Sequence, residues 1–353
     1  EKGLDVEYVE NPAKASGNDA FTATPSRNDW YETVKLNYGI DYRDGSCHFA
    51  PIPNTWYKMR DILLFWSSKG IDGFRVDMAE MVPVEFWRWV IGQINMRYPH
   101  IIFIAETYDL NKYRDYIEAG FNLLYDKVNF YDTVRDVITG AKPALELTNI
   151  WRRTEGLVSN MLYFLENHDE QRLASDFFAG NAIYGKPAMM LTVLMNRASF
   201  MVYFGQELGV RGMDEEGFSG LDGRTTIFDY WGVEEVQDFV GSHTYDEKNL
   251  SAETSQLRAW YGALLNMVKD SKALSYGEFY DLMWVNRHLD ASSIYAFLRY
   301  NESERYLIVL NFGSKQADVS VLIPDDAWAM MGEKGKTIIE TKIESHDGIV
   351  VKV

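Results

Sequence analysis

Residues 71–77 read Ile-Asp-Gly-Phe-Arg-Val-Asp, a short β-rich run that ends in charged residues. Because side chains alternate along a strand, we expect Gly73, Arg75 and Asp77 on the same face. Arg75 would then hold the Asp77 carboxyl in its ionised form, which suits a nucleophile or an electrostatic stabiliser. The alternative is an Asp that caps the next helix beside a structural Arg. Taken alone, the stretch leaves both interpretations open.

A repeating strand–helix unit extends outward from this stretch. A helix is predicted before it, over 54–70, and another after it, from Pro83. Further strands are predicted at 101–105, 121–125, 161–165 and 199–204, with helical pattern between them. This alternation predicts an α/β fold with a parallel sheet, either doubly wound or closed into a barrel. The predicted apolar faces are Met59, Ile62, Leu63 and Trp66 for the first helix, and Phe86, Trp87, Val90, Ile91 and Ile94 for the second.

Two further acids follow predicted strands. Glu106 ends the strand at 101–105, where an acid beside an apolar layer keeps its proton more readily, as a general acid must. The alternative is an ordinary Glu bonded to loop amides. The strand at 161–165 runs into Glu166-Asn167-His168-Asp169, and His168 beside a carboxylate favours function over a packing role. Since sites of parallel barrels lie at the carboxyl ends of their strands, Asp77, Glu106 and Asp169 are predicted to converge.

These motifs carry a family resemblance. The runs at 73–77, 105–106 and 164–169 resemble, in order and spacing, three conserved regions of the α-amylase family of glycoside hydrolases. The segments 34–37, 202–207, 222–224 and 228–231 are similar to further parts of that family. The resemblance covers roughly residues 30–270. It implies a (β/α)8 TIM-type barrel followed by an antiparallel β-sandwich, which the short β-rich runs after residue 273 also indicate.

The resemblance implies a role for each acid. Asp77 would be the nucleophile, Glu106 the general acid/base and Asp169 the carboxylate that stabilises the transition state. The substrate-binding candidates are Arg75, His168, Tyr108, Arg172, Tyr230 and Trp231, although each ring is equally compatible with a place in the core. The implied reaction is retaining hydrolysis, mainly of α-1,4-glucosidic bonds in starch, glycogen or maltooligosaccharides. The alternatives are an α-glucan transglycosylase and a non-catalytic glycan-binding protein.

The sequence also departs from the family pattern. The first family motif, an Asp and a His five positions apart, is not found before residues 35–37, and Asp44 with His48 has the wrong spacing. Only about barrel strands 4 to 8 are recognised. We therefore expect an irregular excursion over 1–53, a carboxyl-terminal barrel portion over 54–272 and a sandwich over 273–353. We also expect the chain to be part of a longer polypeptide whose remaining portion is its partner.

Composition limits the partners. Asp and Glu number 52 against 35 Lys and Arg, a net charge of −17, which disfavours nucleic acids and anionic membranes, whereas 14% aromatic residues favour a neutral ring-stacking ligand. No apolar run reaches the roughly 18 to 20 residues of a membrane span.

No cofactor is expected to be required. Calcium at the acidic cluster of Asp214, Glu215, Glu216 and Asp222 is the alternative to a solvated loop. Localisation stays open, with a secreted or periplasmic place favoured over the cytoplasm.

Overall fold

The computed structural model describes residues 29, 35–42, 44–214, 221–225, 227, 232–241, 243–335 and 337–353. The chain divides into two units. The first comprises Glu1–Thr107 and Asn111–Leu124, and the second Tyr108–Leu110 and Tyr125–Val353. Each unit contains parallel strands at positions where the sequence predicts them, and each is described below by itself.

The first unit alternates strands and helices after a small hairpin. Its elements are β1 (Ile40–Asp41), β2 (Ser46–Cys47), α1 (Asn54–Ser67), β3 (Gly73–Val76), α2 (Val84–Asn95), β4 (Ile102–Ala105), α3 (Tyr113–Ala119) and the start of β5 (Leu123–Tyr125). β1 and β2 pair antiparallel, a feature that the predicted irregular excursion did not include. β3 and β4 run parallel with Val76 opposite Ala105, so their carboxyl ends lie side by side.

Gly73 permits the close approach of β3 to β4. A Cβ atom at this position would lie 2.5 Å from the Ile102 side chain and 2.6 Å from its carbonyl oxygen. Both distances are shorter than a van der Waals contact, so a larger residue would push the two strands apart. The glycine of the 71–77 stretch therefore serves the pairing that brings the ends of β3 and β4 together.

The two predicted helix faces have different outcomes. In α2, all five predicted residues are buried and are the buried residues of that helix, which confirms the face. In α1, Ile62 and Trp66 are instead exposed, at 48% and 51%, and Trp56 is the buried ring. The prediction was therefore wrong for Ile62 and Trp66, whereas Met59 and Leu63 are half-buried. Residues 62–66 are five consecutive apolar side chains, so the sequence does not mark one side of the helix.

The second unit contains both parallel and antiparallel pairs. Its first elements are α4 (Asp132–Ile138), α5 (Leu147–Arg153), β6 (Met161–Phe164), α6 (Lys186–Leu194), β7 (Ser199–Met201), α7 (Glu234–Val240), α8 (Ala252–Asp270) and α9 (Lys272–Tyr276). β6 and β7 are parallel, with Leu162 opposite Ser199. Every residue of α6 from Pro187 to Leu194 is buried, as expected of a helix that is apolar all round.

Antiparallel strands follow α9. They are β8 (Glu278–Asp281), β9 (Ile294–Tyr300), β10 (Arg305–Asn311), β11 (Ala317–Leu322), β12 (Ile338–Ile343) and β13 (Asp347–Lys352), with α10 (Asp325–Met330) between β11 and β12. Four form a sheet in the order β13-β10-β9-β8, and β11 pairs with β12. The predicted change to antiparallel structure is therefore present. The sandwich arrangement and the domain boundary at residue 273 stay predictions.

Arg299 ties this sheet to α6. Its side chain on β9 is fully buried, and its guanidinium donates to the carbonyl oxygens of Leu194 at 2.8 Å, Asn196 at 2.9 Å and Gly277 at 3.1 Å. Burial lowers the pKa of Arg299 to about 10, so the group remains charged at neutral pH. One buried cation thus supplies hydrogen-bond donors to carbonyl oxygens at the carboxyl end of α6 and to the carbonyl oxygen just before β8.

Candidate active site

Arg75 joins two of the predicted catalytic acids. Its Nη1 donates to Asp77 Oδ1 at 2.5 Å, and its Nη2 lies 2.9 Å from Glu106 Oε1. A guanidinium has a planar fork of donors, so both carboxyl groups are held on the same side of the strand ends. The pairing of β3 with β4 is what makes this possible, because Asp77 and Glu106 follow strands whose ends are adjacent.

The two carboxyl groups lie in different surroundings. The side chain of Asp77 is 74% exposed, whereas that of Glu106 is 3% exposed. Since one guanidinium contacts both, the contacted oxygens are separated by no more than about 8 Å. This upper limit allows the roughly 5 to 5.5 Å spacing of retaining glycosidases and also part of the wider range of inverting ones. An open carboxylate beside a buried one is the arrangement that a nucleophile and a general acid need.

The turn after β3 holds Glu106 in place. Met78 has a left-handed backbone with φ of 43°, which is uncommon for a residue with a side chain, and its N–H donates to Glu106 Oε2 at 2.8 Å. The next residue, Ala79, donates from its N–H to the Glu106 carbonyl at 3.1 Å and accepts from Trp87 Nε1 at 3.1 Å. Strained residues that the surroundings hold in place are typical of functional sites.

In the second unit, Asn167 shapes the turn that carries Asp169. The Asn167 side-chain oxygen accepts from the backbone N–H groups of Asp169 and Glu170, both at 2.8 Å. His168 Nε2 lies 3.0 Å from Asp169 Oδ2. The structure therefore brings the predicted pair of His168 and Asp169 into direct contact at the end of β6, with both side chains partly exposed.

Arg172 is placed differently from the prediction. Its side chain is fully buried: Nη1 donates to Glu166 Oε2 at 2.7 Å and to the Phe204 carbonyl at 2.8 Å, and Nε donates to Thr225 Oγ1 at 2.8 Å. The guanidinium carbon also lies 4.6 Å from the centre of the Tyr203 ring. This geometry corrects the substrate-binding assignment, because no surface of Arg172 is left for a ligand. Arg172 instead holds Glu166, the first residue of the 166–169 segment, by a buried ion pair.

Two acids in this region were not singled out by sequence. Burial raises the pKa of Glu166, with Arg172 acting in the opposite direction, and burial likewise raises the pKa of Glu170, with Lys127 opposing it. Lys127 Nζ lies 3.4 Å from Glu170 Oε1 and 3.0 Å from Asp132 Oδ1. The only sequence signal was their position next to His168 and Asp169, since burial depends on distant segments.

The structure describes only some of the remaining candidate site residues. Tyr108 is partly buried on the loop after β4, whereas Tyr230 and Trp231 lie outside the described residues. Of the acidic cluster considered for calcium, Asp214 and Asp222 are described. Among the residues that the structure covers, no group of three or more His, Cys, Asp or Glu side chains is arranged to hold a metal ion. Within the same residues, no helix has the length and apolar character needed to span a bilayer.

Helices that alternate with parallel strands, with carboxylates directly after the strands, are typical of α/β barrel folds. Residues 52–263 match the family model described as "Alpha amylase, catalytic domain". The chain therefore belongs to the α-amylase family, and the resemblance stated from its motifs is confirmed.

Curated relatives share the printed name α-1,4-glucan:maltose-1-phosphate maltosyltransferase. The protein from Picrophilus torridus is 24% identical over 312 residues, which are 87% of this chain and 40% of that protein. The protein from Cereibacter sphaeroides is 34% identical over 94 residues, which are 26% of this chain and 16% of that protein. The chain thus spans less than half the length of these relatives.

Solved structures are similar in fold. A debranching enzyme of Nostoc punctiforme superposes with a TM-score of 0.61 at 16% identity, covering 85% of this chain and 61% of that one. A cyclic α-maltosyl-(1→6)-maltose hydrolase of Arthrobacter globiformis gives a TM-score of 0.60 at 17% identity, covering 88% and 63%. These neighbours support the (β/α)8 fold class, and at such identities they show the fold alone.

Proposed function

We propose that this chain carries out retaining chemistry at α-glucosidic bonds, mainly α-1,4, in starch, glycogen or maltooligosaccharides. The observation that supports the proposal best is the Arg75 guanidinium shared between exposed Asp77 and buried Glu106. An Arg that contacts both carboxyls holds them close together, on one side of the bound sugar.

In the first half-reaction, Asp77 attacks the anomeric carbon while Glu106 gives its proton to the leaving glycosidic oxygen. The C–O bond to the leaving sugar breaks, and a glycosyl ester forms on Asp77. In the second half-reaction, Glu106 takes a proton from water or from a sugar hydroxyl, whose oxygen displaces Asp77. Two inversions at the anomeric carbon give overall retention.

The roles of Asp169 and His168 in the proposal rest on the sequence resemblance. Asp169 would stabilise the positive charge that develops on the sugar, and His168 would hydrogen-bond to a hydroxyl. The 3.0 Å contact between His168 and Asp169 is compatible with both roles, since it orients the carboxylate by a neighbouring ring. Arg172 and Glu166 would act beneath them as positioning residues.

A transglycosylase is the second candidate, because the curated relatives are named maltosyltransferases. The covalent intermediate is common to both reactions, and only the acceptor differs. Product analysis separates them: maltose 1-phosphate given with a glucan would extend the glucan in a transferase, whereas a hydrolase would release maltose. Maltooligosaccharide shortening with water as acceptor would favour the hydrolase.

The central test is covalent trapping. A fluorinated α-glucosyl reagent should add one sugar to the protein, and peptide mapping should place that sugar on Asp77. The matched control is Asp61→Asn, since Asp61 is also exposed, at 64%, and also paired with a neighbouring Arg. Asp77→Asn should abolish labelling and Asp61→Asn should leave it unchanged. Absence of label on Asp77, with glucan binding retained, would support the non-catalytic glycan-binding alternative.

A further inference from the structure

A cavity of about 670 Å³ lies in the second unit, between α5 and the segment formed by β8 and the loop that follows it. Its volume is typical of pockets that hold small molecules. None of the predicted catalytic residues lines it. The cavity is therefore a feature of the fold that the proposed chemistry does not use.

Aromatic side chains form much of its wall. Trp151 on α5 and Phe279 on β8 lie with ring centres 5.8 Å apart, and Tyr280 and Trp284 continue the wall. Trp284 is 51% exposed, so much of its indole surface is open to a ligand. Indole and phenyl faces offer the flat apolar contact that the C–H faces of a sugar ring require.

A buried carboxylate fixes the shape of this wall. Asp281 Oδ2 accepts hydrogen bonds from Thr148 Oγ1 at 2.7 Å, Trp151 Nε1 at 3.0 Å and Tyr295 Oη at 3.1 Å. The charge of Asp281 is satisfied within the protein, so it does not repel a ligand. The Trp151 ring is consequently held in one orientation before any ligand arrives, which lowers the entropy lost on binding.

Polar groups surround the rings. Glu146, which accepts from Asn149 Nδ2 at 2.9 Å, supplies acceptor oxygens on one side. Arg152 and Arg287 are exposed at the cavity and supply donors, and within the described chain neither forms an ion pair with a carboxylate. Hydroxyl groups both donate and accept, so a polyhydroxylated ligand can use the donors and the acceptors of this cavity together.

We propose that this cavity is a second, non-catalytic site that binds a short linear α-glucan. Three features support an oligosaccharide as the ligand: the aromatic ring faces, the Trp151 indole held in one orientation, and the mixture of hydrogen-bond donors and acceptors. The choice of an α-glucan among oligosaccharides rests on the proposed function. Such a site would keep a long substrate attached while one bond reacts.

The test is calorimetric titration of maltoheptaose into the 353-residue protein carrying Glu106→Gln, which prevents turnover. Adding Trp284→Ala should remove one binding site or weaken it by about tenfold, because the indole supplies an apolar face. The matched control is Trp66→Ala, since Trp66 on α1 is equally exposed at 51%. That variant should bind as its parent does, and circular dichroism should show that both variants are folded.

Three results would overturn the proposal: no maltoheptaose binding by the parent, equal binding by the Trp284→Ala and Trp66→Ala variants, or equal binding of a β-linked cellohexaose. The last would overturn the ligand class. Failure of the proposed function is seen separately, as absence of trapping on Asp77 in the Trp284→Ala variant with Glu106 intact. Binding that does not depend on Trp284, with trapping on Asp77 retained, would therefore count against the cavity alone.

Discussion

Replacing Arg172 by Met tests how much the buried Arg172–Glu166 ion pair next to His168 and Asp169 stabilises the fold. The substitution keeps much of the side-chain volume but removes the donors to Glu166, to the Phe204 carbonyl and to Thr225. Removing one partner of a buried pair typically lowers the free energy of unfolding by about 3–5 kcal/mol. We expect a loss of that size at pH 7, because the Glu166 carboxyl then stays buried without its cation.

The pH dependence follows from the same carboxyl group. Without Arg172, Glu166 avoids an unpaired charge only by binding a proton, so its folded-state pKa rises further. A raised pKa in an acid means that the folded state binds the proton more tightly, and stability is lost as pH rises above the unfolded value. Between pH 7 and pH 5 the loss should therefore shrink, by up to about 2.7 kcal/mol.

The assay is urea unfolding followed by circular dichroism at both pH values. Arg211→Met is the matched control, because Arg211 pairs with Asp176 at an exposed position and should cost less than about 1 kcal/mol. Adding Glu166→Gln to Arg172→Met should recover part of the loss at pH 7. A loss equal to that of the control, or one that neither the second substitution nor lower pH reduces, would refute the reasoning.

Three further predictions concern other groups. Glu170→Gln should become more stable relative to wild type on going from pH 4 to pH 7, since burial raises the pKa of Glu170; unchanged differences in urea midpoints would contradict this. Arg299→Leu should lower the free energy of unfolding by about 3–5 kcal/mol, because two buried carbonyl oxygens and a half-buried one lose their donor, and a shift within 1 kcal/mol would count against it. A chelator should leave the glucan reaction rate and the melting temperature unchanged; a loss restored by calcium alone would reveal a metal requirement.

Much of the fold was predictable because it rests on periodic patterns. The α2 face was correct, since its apolar residues recur at one helical spacing, whereas the α1 face was wrong where apolar residues ran consecutively. The strands at 73–76 and 102–105 were anticipated to within two residues. The small β1–β2 hairpin was missed, because pairs of two residues leave no period to detect.

The candidate site was likewise predictable from the sequence only in part. The spacing of Asp77 and Glu106 by one strand–helix unit predicted neighbouring strand ends, and the shared guanidinium of Arg75 agrees. Arg172 could not be assigned from its neighbours in sequence, because its partners Phe204 and Thr225 are 32 and 53 residues away. The position of Arg172 close to the 166–169 motif suggested that it contacts a ligand. In the structure its side chain is buried inside the protein.

The sequence by itself determined which acids follow which strands, since alternation and strand–helix length are local properties of the chain. Tertiary structure alone decided which groups are buried, which guanidinium serves two carboxylates, and that Trp151 meets Asp281 from 130 residues away to form a cavity wall. The physical reason is that burial and hydrogen bonding depend on the atoms that surround a side chain. Those atoms come from segments that no local pattern brings together.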